Sequence, residues 1–266
     1  MRVGRGGVNA VPENRSAALD AAADGLAPTA ALVGELLELA DALRDNPPLR
    51  RALTDTTLEP DARGRLAERL VGRRIGPGAT GLLARAVALD WPSGFALADA
   101  LEEQGVRIGV RSGDPEAVRA ELGACARLIG AHVELDQALS AHGTGPEERS
   151  ALVTRLLGPR LSAAALVLVQ HAARCGGRVG RTLAGYEEIA SGVLGRRLAR
   201  VTVARALPED QAERLRAQLA RLYAAPVDLS ISVDPDVLGG VRVLIGDDVI
   251  DGTIAATLDQ ARRQLA

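Results

Sequence analysis

The sequence predicts a mainly α protein, with a duplicated helical-bundle N-terminal region followed by a small α+β C-terminal module. Three observations point there. Ala, Leu and Arg, all strong helix formers, dominate a chain of 266 residues in which aromatic residues make up only 2%. The first part of the sequence repeats itself at a fixed offset. After about Leu198 the apolar rhythm changes from helical spacing to two-residue alternation. The length suits one large domain or two smaller ones and is ample for a core, which Leu, Val and Ala must fill.

Residues 1 to about 12 read as a frayed terminus. A first helix follows Pro12, with Ala17, Ala18, Leu19 and Ala22 available for burial. A second starts near Pro28, and its Leu32, Leu36, Leu39 and Leu43 form one stripe. Asn46-Pro47-Pro48 stops it, because proline disfavours helical geometry in the residue before it. A short helix carries Leu49 and Leu53. The next opens at Pro60 with Asp61 in its first turn and Leu66, Leu70 and Val71 as its inner face. Gly72 to Gly78 breaks it, and a last helix carries Leu82, Leu83, Ala86 and Val87.

The pattern then recurs 86 residues later without a gap. Glu35, Leu36 and Ala40 fall on Glu121, Leu122 and Ala126; Leu49 and Leu53 fall on Leu135 and Leu139. Pro60, Arg63, Leu66, Arg69, Leu70 and Gly72 fall on Pro146, Arg149, Leu152, Arg155, Leu156 and Gly158. Isolated matches between Ala/Leu-rich helices arise by chance, but a shared Pro start, Arg/Leu core and closing Gly together indicate an internal duplication. The expected parts are residues 1–112 (first helical copy), 113–198 (second copy) and 199–266 (α+β module). Gly105, Gly109 and Gly113 read as a linker between the copies, because no strand–turn–helix context makes them a nucleotide loop.

In the last part, Val201 and Val203 alternate with Thr202 and Ala204. Pro208, Glu209 and Asp210 open a helix with Ala212, Leu215, Leu219 and Leu222 on one face. Val227, Leu229, Ile231 and Val233 alternate strictly with polar residues, as do Val241, Val243 and Ile245. A short Val249-Ile250 segment follows, and a final helix runs from Thr253 through Leu265.

Composition removes several chemistries. There is no lysine, so neither a Walker P-loop nor a Schiff-base enzyme is available. A formal net charge of −2 argues against a nucleic-acid binder. Residues 1–12 lack the apolar segment of a secretory signal. The most apolar run, Leu161–Val169, is half the ~20 residues of a membrane-spanning helix, so no direct membrane insertion is expected. Cys125 and Cys175 have no CxxC spacing and read as two small buried thiols, with a disulfide as the other option. His132, His142 and His171 read as surface or partly buried residues outside any nucleophile motif. Asp247, Asp248 and Asp251 lack calcium-loop spacing and suit turns and caps. Trp91 and Phe95 suit a partner anchor or, better, packing at the end of the first copy. Gly239-Gly240 suits a conformation or close approach that side chains would prevent. No catalytic residue, cofactor site or metal site is read from the sequence, and what remains suits docking.

Two stretches then carry a family resemblance. Val201-Thr202-Val203-Ala204-Arg205-Ala206-Leu207-Pro208 resembles the start of the C-terminal region of the F-type ATP synthase delta subunit, the bacterial relative of the oligomycin-sensitivity-conferring protein. Val233-Asp234-Pro235, Leu238-Gly239-Gly240-Val241, Val243, Gly246-Asp247 and Ile250-Asp251-Gly252-Thr253 resemble that family's signature. Residues 120–198 are similar to its helical domain. The extra copy resembles the long actinobacterial form.

The resemblance implies a non-catalytic stator subunit, one copy per complex, at the cytoplasmic face of the cell membrane. It implies that the helical part grips N-terminal segments of the alpha subunits and that the C-terminal module binds the C-terminal region of the peripheral-stalk b subunit. It assigns Gly239, Gly240, Gly246, Asp251 and Gly252 as structural motif positions. The alternative reading is a helical adaptor of another complex.

Overall fold

The computed structural model describes residues 13–140, 143–235 and 240–251. Its elements in order are α1 (Glu13–Asp24), α2 (Ala30–Asp45), α3 (Pro47–Leu53), α4 (Pro60–Val71), α5 (Pro77–Ala88), α6 (Gly94–Arg111), α7 (Pro115–Ala131), α8 (Val133–Ser140), α9 (Pro146–Leu157), α10 (Ala163–Cys175), α11 (Val179–Val193), β1 (Arg197–Val203), α12 (Glu209–Tyr223), β2 (Val227–Val233), β3 (Val241–Ile245) and β4 (Asp248–Asp251). The predicted mainly α architecture with a small α+β part is what forms. The final helix expected through Leu265 lies outside the described residues, as do His142, Gly239 and Gly252. The chain divides into two compact units, one ending at Ala190 and the other beginning at Ser191.

In the helical unit, local sequence sets the helix starts. Thr29, Asn46, Ser93, Asp114 and Ser162 each accept a backbone N–H of the helix they precede. Proline occupies the first turn of α3, α4, α5, α7 and α9, where its missing N–H costs nothing. The stripe Leu32, Leu36, Leu39 and Leu43 is buried as the spacing predicts.

The duplication reappears in three dimensions: α2–α5 recur as α7–α10, and two polar contacts recur with them. Glu35 Oε1 accepts the Gly76 N–H at 2.9 Å, and Glu121 Oε2 accepts the Ser162 N–H at 3.0 Å. Each ties the second helix of its copy to the start of the fifth. Arg63 Nη2 donates to the Ala88 carbonyl at 3.2 Å, and Arg149 Nη2 donates to the Arg174 carbonyl at 2.6 Å. Each satisfies a carbonyl at the C-terminal end of that fifth helix, which the helix itself leaves without a partner.

Four expectations are corrected here. Gly105 and Gly109 are not a linker; both are buried within α6, against Leu37 and Leu168 respectively. Glycine lets the side chains of α2 and α10 approach the α6 backbone closely, so one helix serves both copies. The inner face of α4 is Arg63, Ala67 and Val71, while Leu70 is 46% exposed and its repeat counterpart Leu156 is 49% exposed. Phe95 is not packed into the core; it is 53% exposed, with the Arg50 guanidinium 4.1 Å above its ring. In α1, Leu19 and Ala23 are buried, whereas Ala17 and Ala18 face solvent.

The second unit holds a four-stranded sheet of order β2-β1-β3-β4. β1 and β2 are parallel, a pairing that requires a crossover, and α12 supplies it. β3 pairs antiparallel with β1, and β4 with β3. The registers align one apolar face: Leu229–Ala199–Ile245, Ile231–Val201–Val243–Ile250 and Val233–Val203–Val241. Ala212 and Leu219 of α12 are buried, and Leu219, with Leu215, Ala220 and Tyr223, packs on the sheet core. Leu222, expected on this inner face, is exposed instead.

Candidate functional site

The described motif positions, Gly240, Gly246 and Asp251, lie along the β3–β4 hairpin. Gly240 and Gly246 adopt φ of +84° and +55°, the left-handed region that favours glycine. Gly246 and Asp247 form the turn between β3 and β4. The Asp251 carboxylate accepts from Arg242 Nη2 at 3.0 Å and Nε at 3.2 Å, directly across the β3–β4 register. Asp248 accepts the Tyr223 hydroxyl at 3.3 Å; burial, then the nearby Asp248 charge, raises the pKa of that phenol. The acidic run therefore divides among a turn, a hydrogen bond to α12 and a cross-strand ion pair, as turn-forming aspartates do.

The densest polar centre of the helical unit lies where α2, α6, α10 and α11 meet. His171 on α10, read from sequence as at most partly buried, has no exposed surface. Its Nδ1 lies 2.9 Å from the Tyr186 hydroxyl oxygen, and that hydroxyl donates to Glu102. Its Nε2 lies 3.3 Å from Asp41 Oδ1. Arg44 donates to Asp99 at 2.8 Å and also pairs with Glu102. Burial opposes the charge on Asp41, but the hydrogen bond and charge of His171, aided by Cys175 and Arg44, hold its carboxyl below the usual carboxylate range. Burial, then the Glu102 charge, drives the Tyr186 phenol far upward, so it stays protonated.

Cys175 is exposed rather than buried, in contrast to Cys125, and both thiols are free. Its Sγ lies 3.5 Å from Asp41 Oδ1 and 3.6 Å from His171 Nε2. Desolvation, followed by the negative charges of Asp41 and Glu102, pushes the thiol up to about 12. A nucleophilic cysteine needs the opposite shift, so this trio is not an activated thiol. The cluster borders a cavity of about 530 Å³ that is also lined by Glu38, Asp45, Glu147 and Arg174.

Sequence reasoning missed this centre because its members come from separate helices and the repeat does not carry them. The positions in the first copy that match His171 and Cys175 are Arg85 and Leu89. A second buried ion group joins α7 to α11: Glu187 lies 3.9 Å from Arg119 and 3.7 Å from Arg127. The i, i+4 spacing of His171 and Cys175 was the one available signal, and it is weak by itself.

Exposed apolar side chains mark other surfaces. The helical unit presents Leu70, Phe95, Leu128, Val133 and Leu156, and the second unit presents Leu222, Val233 and Val249. Among the described residues no helix is long and apolar enough to cross a membrane.

Known proteins resemble the chain along most of its length. A family model described as ATP synthase delta (OSCP) subunit matches residues 98–265. That match starts inside α6, earlier than the residue-120 start read from sequence. A relative named ATP synthase subunit delta in a Nocardioides species is 41% identical over 89% of this chain and 88% of its own. Relatives of the same name in Cutibacterium acnes and Acidothermus cellulolyticus are 37% and 39% identical, covering 87% of this chain and 90% and 87% of theirs. Because these relatives span both helical copies, the longer form is shared with them, and the chain belongs to the ATP synthase delta (OSCP) subunit family.

Proposed function

We propose that this chain is a stator joint that ties the catalytic alpha/beta head of ATP synthase to the peripheral stalk, so that the head resists rotor torque during proton-driven synthesis. Family membership makes it a non-catalytic structural subunit of ATP synthase and a peripheral part of a membrane-associated complex. In the proposed arrangement the helical part holds N-terminal segments of the alpha subunits and the α+β module holds the C-terminal region of the b subunit, at the cytoplasmic face of the membrane. The second copy (113–198), which the family model covers, takes the family's place on the head, and the first copy (1–112) is an addition to it. The single observation that supports the reading is the presence, within one member of this family, of two compact units of different architecture. A joint needs two such independent grips.

The test is a pull-down of the full chain with peptides from the alpha N-terminus and the b C-terminus. Binding of each at micromolar concentration is expected, and failure to bind either overturns the reading.

A further inference from the structure

We propose that Asp41, His171 and Cys175 form a binding site for a tetrahedral divalent metal of the zinc class. The three donor atoms lie within 4.8 Å of one another. Their separations are 3.3 Å for His171 Nε2 to Asp41 Oδ1, 3.5 Å for Cys175 Sγ to Asp41 Oδ1 and 3.6 Å for Cys175 Sγ to His171 Nε2. A tetrahedral zinc with Zn–S about 2.3 Å and Zn–N and Zn–O about 2.0 Å has N···O, S···O and S···N edges of about 3.3, 3.5 and 3.5 Å. The three side chains therefore outline one face of that tetrahedron without moving apart or together.

The hydrogen bonding behind His171 supports the same assignment. Tyr186 has one hydroxyl proton, and it goes to Glu102. The Tyr186 oxygen then accepts from His171, so Nδ1 carries a ring proton, and in the neutral ring Nε2 turns its lone pair toward the Asp41 carboxylate. In that tautomer the two acceptors face each other, and a cation between them, a metal or a proton on Nε2, pairs them. A ligating histidine typically has this second partner, which fixes its tautomer and orientation. The mixture of thiol, imidazole and carboxylate selects a borderline metal such as zinc over calcium or magnesium, which prefer all-oxygen sites. The cavity beside Cys175 leaves room for water at the fourth position. Arg44, 3.7 Å from Asp41, is the competing cation, but Asp99 and Glu102 already engage its guanidinium. Asp41 belongs to the first copy and His171 and Cys175 to the second, so the metal would clamp α2 to α10.

The test is cobalt(II) titration of the reduced, chelator-stripped full chain, followed by displacement with zinc. One equivalent of cobalt is expected to bind, with a thiolate-to-cobalt charge-transfer band and the intense visible absorption of a tetrahedral site. C175S should abolish the band, and D41N should weaken binding at least tenfold. Y186F, which removes the partner behind the histidine, should weaken it by roughly 10–100-fold. H132Q, at an exposed histidine on the surface, should change nothing. Saturating zinc should raise the melting temperature of the wild type and not that of C175S. Because Cys175 is exposed, C175S should remain folded and is the decisive variant. No thiolate band, or a band that survives in C175S, overturns the proposal; in the first case a proton on Nε2 fills the gap instead.

Discussion

Gly123 lacks a side chain where Glu187 needs the space. A Cβ at this position would collide with Glu187 Oε1, and that carboxylate is buried between Arg119 and Arg127. Gly123→Ala should therefore destabilise the helical unit by about 1–3 kcal/mol, despite alanine's better helix propensity, as read by urea unfolding. The repeated arginines allow a matched pair of tests. Arg149 donates to the carbonyls of Ala173, Arg174 and Thr144, whereas Arg63 donates to the Ala88 carbonyl and to Asp90. Arg149→Met leaves more buried carbonyls without a donor, so it should cost more than Arg63→Met, with a difference of about 1–3 kcal/mol in the same assay. Glu103 has a pH signature. Burial, then the neighbouring Asp20, raises its carboxyl above the usual range, partly offset by Arg107. Between the ordinary glutamate value and the raised one the folded state holds the extra proton, so stability falls as pH rises through that window. Glu103→Gln should remove this decline, making the variant the more stable protein at pH 7 and leaving it near wild type in acid, as measured by unfolding across pH. Leu70 and Leu156 show where residue-level reading failed. Their spacing fits an inner face, but small Ala67 and a stretched arginine take that face instead, a choice that only packing reveals.

At the scale of elements, proline chemistry made several helix boundaries legible from the sequence, since Pro47, Pro60 and Pro146 act within one turn of themselves. The strands were legible because one apolar face alternates strictly. α6 was not. Gly105 and Gly109 read locally as a linker, and only contact with Leu37 and Leu168 makes them favourable helix positions. The polar centre was illegible for a related reason: its residues lie up to 134 positions apart. In the α+β module, Gly240→Val should cost about 1–3 kcal/mol, because a β-branched residue is strained at φ of +84°. In the proposed role it should weaken capture of the b peptide and spare the alpha peptide. Equal loss of both would count against a separate grip in each unit.

For the whole molecule, the duplication does not divide where the glycines suggest. A chain that starts at Ser112 or Gly113 would lack α6, and with it the buried Val106, Ile108 and Val110. Such a chain should melt at low temperature and with poor cooperativity, whereas one starting at Ser93, with the α6 cap intact, should unfold in a single sharp transition by circular dichroism. Equal behaviour of the two would show that α6 belongs to the first copy alone. The repeat itself was readable at this scale because both copies keep the same joinery, Glu to the start of the fifth helix and Arg to its end.

Since α6 is common to both copies, no loop separates them at that point. A load applied to one bundle passes to the other along 18 residues of unbroken helix. Any relative bending must stretch i→i−4 hydrogen bonds instead of swinging about a pivot. Lengthening such a strut by a second bundle would extend its reach without adding elastic slack.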